Sequence, residues 1–121
     1  MAGGKYSMIP VDVPAVDTQY RKIRTPLPVP ESLPIFEELM RYEPVSMQGQ
    51  PPVVWDNASD FQVHDAWGNT WIDWSSGVLI TNSGHGHPEM VEAIRRMIDK
   101  PLLATYCFPH EGRARLAKML A

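Results

Sequence analysis

A single cysteine, the want of any long apolar run and a near balance of charge bound this chain before any motif is considered. Cys107 is the only cysteine among 121 residues, so an intrachain disulfide is excluded. No apolar stretch approaches the roughly 18 residues that span a bilayer. The net charge is −3, from 11 basic and 14 acidic residues, which leaves neither a basic nucleic-acid surface nor a polybasic membrane arm. The opening MAGGKYSMIP lacks the basic flank and apolar stretch of a secretory leader. These features favour the cytosol. The length allows one domain at most, burying roughly two thirds of its unfolded surface.

Tryptophan and proline, by contrast, are concentrated. Trp55, Trp67, Trp71 and Trp74 mark a packed surface around residues 55–80, and nine of the 12 prolines lie between Pro10 and Pro52. Residues 1–32 show no sustained period, and the alternating prolines of TPLPVPESLP favour an extended arm lying over a neighbouring surface, or a disordered tail. A helix is expected at 33–42, with Ser32 as N-cap, Pro34 in the first turn, Pro44 as its stop, and Ile35, Phe36, Leu39 and Met40 on one face. Strands are expected near 53–56, 61–65, 70–74 and 77–81, forming a small antiparallel meander. DAWGNTW reads as its hairpin turn, because Gly68 accepts positive φ and Asn69 tolerates it. The run GVLIT reads as a strand buried on both faces. A second helix is expected from Pro88 to residue 100, acidic at its start and basic at its end, and a third over 109–121. The third reaches Ala121 with no C-cap and an unpartnered apolar side, so the chain is expected to be a piece of a longer protein. The fold class is thus α+β: helix, small antiparallel meander, two helices.

His85 and His87 stand two apart among glycines in TNSGHGHPEM. A metal site is one reading. It needs about four ligands, and His64, His85, His87, His110 and Cys107 show neither CxxC nor HxxxH spacing. The expectation is therefore no bound metal. The second reading is structural, with Gly84 and Gly86 allowing close backbone approach and the imidazoles bonding local backbone. The third is the rim of an active site. A general-base role is disfavoured, since no carboxylate partner stands nearby in sequence.

Residues 63–94, VHDAWGNTWIDWSSGVLITNSGHGHPEMVEAI, resemble the N-terminal portion of class III aminotransferases, pyridoxal-phosphate enzymes of fold type I. The resemblance rests on Asp65, Gly68, Trp71, Asp73, Ser76 with Gly77, Asn82, Gly84, His85, His87 and Pro88, and FPHEGRARLAKML is similar to the family's next helix. It implies an α/β parent in which residues 33–87 belong to the small domain and 88–121 lead into a large cofactor-binding domain. It further implies a likeness to homodimers that bind pyridoxal 5'-phosphate and pass an amino group from an amine or ω-amino acid to a 2-oxo acid. The family's phosphate-cradling loop and Schiff-base lysine have no counterpart in this stretch, and Lys100 and Lys118 are not candidates, so no catalytic or cofactor-binding residue is assigned and the chain alone is expected to be inactive. In similar enzymes the residues after Ser76-Gly77 face the substrate, which makes Val78 and Leu79 candidate substrate-binding residues. Two buried strand residues are the alternative. Tyr106 lies in the stretch that in relatives reaches the partner subunit's active site, with packing in a domain interface as the alternative. Against the enzyme reading as a whole stands a free-standing, non-enzymatic interaction module.

Overall fold

The sheet begins where the sequence shows least regularity. In the computed structural model, which describes residues 6–100, 102 and 107–121, two short strands lie within the proline-rich arm: β1 (Val16–Asp17) and β2 (Lys22–Ile23). They join β3 (Asn57–Ser59), β4 (Gln62–His64) and β5 (Thr70–Ile72) in one antiparallel sheet of order β1-β2-β5-β4-β3. Val63 faces Trp71, and Lys22 faces Thr70. The expected meander is therefore widened by the arm, and the arm supplies core: Ile23, Val29 and Val63 are the buried apolar side chains among the described residues.

Polar groups occupy the rest of that core. Ser32, Asp65, Asn69 and Thr70 are all buried. The expected hairpin is present, with Gly68 at φ 87°. Asp65 organises it: Oδ1 accepts from the amides of Trp67 (2.9 Å) and Asn69 (2.8 Å), and Oδ2 accepts from Asn69 Nδ2 (2.6 Å). Asn69 then reaches across to the arm. Its Oδ1 accepts from the Arg24 amide at 2.7 Å, and its Nδ2 donates to Thr25 Oγ1 at 2.8 Å. One buried amide side chain thus ties the hairpin to β2, which explains how two-residue strands without a hydrophobic period hold their place.

Two expected strands require correction. Residues 53–56 form no strand; β3 follows instead at Asn57–Ser59. Residues 77–81 are also not a strand. Ser76–Leu79 is a left-handed turn, and Val78, Leu79 and Ile80 are exposed. A continuous apolar run cannot distinguish burial from a turn whose form is set by hydrogen bonds.

The helices follow expectation. α1 is Leu33–Tyr42, with proline in its first turn. Ser32 holds the N-cap position but does not cap; its hydroxyl donates back to the Val29 carbonyl at 2.6 Å. Phe36, Leu39 and Met40 line a cleft of about 320 Å³ with Met8 and Met47. The described residues divide into two units after Gly86. The second unit carries α2 (Pro88–Ile98) and α3 (Glu111–Leu120). In α2, Glu92 and Arg96 pair at 3.6 Å on an exposed surface. In α3, the His110 ring caps the helix by accepting from the Gly112 amide at 3.2 Å, and the helix starts two residues beyond the expected Pro109. No helix among the described residues is long and apolar enough to cross a membrane.

Candidate functional site

After β5 the chain turns sharply at Asp73. Ser75 is right-handed helical (φ −97°, ψ −10°) and Ser76 is left-handed (φ 52°). That alternation turns successive amides toward one point and makes an anion-binding concavity. The chain fills it with its own carboxylate. Asp73 Oδ1 accepts from the Ser75 amide (2.9 Å) and hydroxyl (2.6 Å), and Oδ2 accepts from the Gly77 amide (2.7 Å). A fourth donor comes from 12 residues onward: His85 Nε2 lies 2.7 Å from Asp73 Oδ2. A carboxylate only accepts, so Nε2 carries the hydrogen. The Asp73 side chain is 2% exposed and that of His85 12%. The Ser75 hydroxyl, then His85 and the two amides, hold the Asp73 carboxyl well below the usual carboxylate range, against burial, which acts the other way.

His85 is itself fixed. Its amide donates to the Asp60 carbonyl (2.7 Å) and its carbonyl accepts from the Asp60 amide (2.8 Å). Gly84 permits this approach, since a Cβ there would fall 2.8 Å from Asp60 Oδ1 and 3.2 Å from its Cα. Trp55 meets the His85 ring edge-on at 5.8 Å. The histidine is therefore structural in its backbone and a carboxylate partner in its ring. The partner escaped the sequence reading because Asp73 and His85 are separated by an irregular turn with no helical or strand spacing to relate them. Among the described residues no three His, Cys, Asp or Glu side chains converge as metal ligands.

Beyond the carboxylate the backbone stays left-handed through Gly77 (φ 58°), Val78 (φ 62°) and Leu79 (φ 65°). The amides of Leu79 and Ile80 close the turn on the carbonyls of Ser75 (2.8 Å) and Ser76 (2.9 Å). Each non-glycine residue in this region costs roughly 1–2 kcal/mol, and a β-branched one such as Val78 is a genuine outlier.

Besides the cleft beside α1, which Val78 also lines, two clefts flank the turn. One, about 460 Å³, is lined by Gln50, Pro51, Val53, Trp55, Ser75, Gly77 and Val78 and is mainly apolar. The other, about 200 Å³, is more polar, with Asp60, Asp73, Ser76, Thr81, Asn82 and His85 in its wall. Val78 borders the first; Leu79 lines neither and is exposed. Tyr106 lies outside the described residues. Neither lining contains a lysine to form a Schiff base or an arginine to hold a phosphate. These clefts do not fit pyridoxal phosphate by themselves, and no chemical step is derived through it.

No protein-family model matches the chain. Curated relatives do. The acetylornithine aminotransferase of Caldanaerobacter subterraneus subsp. tengcongensis is 27% identical over 87 residues, 72% of this chain and 20% of the relative. The ornithine aminotransferase of Oceanobacillus iheyensis is 35% identical over 70 residues, 58% of this chain and 18% of the relative. The 5-aminovalerate aminotransferase of Pseudomonas aeruginosa is 35% identical over 73 residues, 58% of this chain and 17% of the relative. The chain spans about a fifth of the length of the curated relatives it matches. Over more than half of its own length the chain is thus similar to aminotransferases, which bears out the class III resemblance carried by Asp65, Asp73 and the glycine-histidine stretch before Pro88.

Proposed function

We propose that this chain contributes substrate-site wall to a pyridoxal-phosphate-dependent aminotransferase of fold type I, which moves an amino group from an ω-amino acid or amine to a 2-oxo acid. The observation that carries the reading is the similarity to three kinds of aminotransferase whose named substrates, ornithine, acetylornithine and 5-aminovalerate, are all amino acids or close derivatives. When bound, the cofactor acts as the electron sink, and the protein supplies orientation and electrostatics. Val78 and Leu79 face the donor from the turn after Gly77, and Tyr106 reaches the same site from the other subunit of a homodimer. The position of Val78 on the rim of the apolar cleft with Trp55 supports its part in this.

The test is donor discrimination in the gene product that carries this sequence. Val78→Phe fills space and is expected to penalise bulky donors over small ones by about 1–3 kcal/mol in kcat/KM. Tyr106→Phe keeps the ring and removes a hydroxyl, so it is expected to weaken donors with a carboxylate end most. Cofactor occupancy is followed by absorbance. Equal change for all donors in both variants would show these residues to be scaffold. A native product of only 121 residues that carries out no transamination would instead favour a free-standing interaction module.

A further inference from the structure

Ser76, Val78 and Leu79 adopt a left-handed backbone against their own steric preference. Packing does not hold them there, because Val78 and Leu79 are 76% and 81% exposed. Beyond the bonds it makes with its chain neighbours Ser75, Ile80 and Thr81, the turn is tied to its unit, among the described residues, by bonds that converge on Asp73. Its carboxylate takes the amides of Ser75 and Gly77, and the His85 ring supports the same oxygen that holds Gly77. The ring also closes over Gly77: a Cβ there would stand 3.7 Å from His85 Cε1. His85 in turn is tied by two backbone bonds to Asp60 at the β3–β4 corner. Among the described residues, the Asp73 carboxylate and the His85 imidazole thus link the turn to the sheet, beside the bond from the Asp73 amide to the Phe61 carbonyl at 2.8 Å.

We propose that Asp73 and His85 are positioning residues that together hold Ser76–Leu79 left-handed and so set the direction in which Val78 and Leu79 face. The clamp itself stands on this geometry alone; its effect on the fit of an amine donor rests on the aminotransferase reading above.

The experiment compares Asp73→Asn, His85→Ala, His85→Gln and Ser76→Gly in the full gene product. It reads amide hydrogen exchange at Gly77 together with KM and kcat for small and large amine donors. Charge-assisted hydrogen bonds are about twice as strong as neutral ones, so Asp73→Asn and His85→Ala are expected to speed Gly77 exchange about tenfold or more, the factor that 1.4 kcal/mol corresponds to. KM for donors is expected to rise more than kcat falls. His85→Gln, which restores an N–H donor, is expected to recover much of the protection, and Ser76→Gly added to His85→Ala is expected to restore part of it by relieving the left-handed residue. A general loss of packing would show neither recovery. Unchanged Gly77 exchange in both Asp73→Asn and His85→Ala overturns the proposal. Should both fail to fold, Ser76→Gly alone decides: a raised melting temperature supports a turn held under strain, and a lowered one overturns it. If exchange responds as expected while the unsubstituted protein turns over no amine donor, the clamp stands and the aminotransferase reading falls.

Discussion

Replacing Asn69 tests the polar core most directly. Its side chain is 1% exposed and makes three bonds: from the Arg24 amide, to Thr25 Oγ1 and to Asp65 Oδ2. The bond to the carboxylate is worth roughly 1.5–3 kcal/mol and the neutral two roughly 0.5–1.5 each, so Asn69→Ala is expected to cost roughly 2.5–6 kcal/mol. That range spans a large part of the roughly 5–15 kcal/mol that holds a domain folded. Asn69→Asp is a smaller change in shape and is expected to be at least as harmful. It keeps the acceptor for Arg24 but turns a donor 2.6 Å from Asp65 Oδ2 into a second carboxylate. Two carboxylates so placed repel unless one takes a proton, so the damage should ease in acid, which that of Asn69→Ala should not. Denaturant midpoints and exchange at the Arg24 amide, measured at neutral and acid pH, provide the assay. An alanine variant within 1 kcal/mol of the parent (about fivefold in the folding equilibrium), with Arg24 exchange unchanged, would refute the view that this amide ties the arm to the sheet.

The Asp73 carboxyl titrates lower in the folded chain than in the unfolded one. Its contribution is therefore fully present above the ordinary carboxylate value of about 3.9 and is lost only as pH falls well below it; the Gly77 protection factor should be flat from pH 7 to 5, and an early loss would contradict this. Gly84→Ala meets both a left-handed φ of 87° and the Asp60 backbone, whereas Gly49→Ala has a φ of 91° with nothing within 4 Å. The first is expected to cost about 1–3 kcal/mol more than the second, and equal denaturation midpoints would count against the close approach. Elemental analysis is expected to find no stoichiometric zinc; zinc that disappears on His85→Ala would overturn that expectation.

Legibility in the sequence followed the range of the forces involved. The Asp65–Asn69 hairpin could be read because Asp, Gly and Asn act within a few residues of themselves. The three helices could be read from proline stops and apolar spacing. β1 and β2 could not, because strands of two residues have no period and are held by Asn69 from 45 positions away. The turn at Ser76–Leu79 was misread because its shape answers to the Asp73 carboxylate, while its side chains spell a buried strand. The pairing of Asp73 with His85 needed coordinates, since nothing in their spacing announces a contact.

Among the described residues, three apolar and four polar residues are buried, in the strands of the sheet, its hairpin and the arm beside it. Heat-capacity change on unfolding rises with apolar exposure and falls with polar exposure. Opening this sheet should therefore carry an unusually small ΔCp for its size. Its stability should vary gently with temperature and show little tendency to fail in the cold. Changes that break hydrogen bonds should harm it more than changes that weaken the hydrophobic effect.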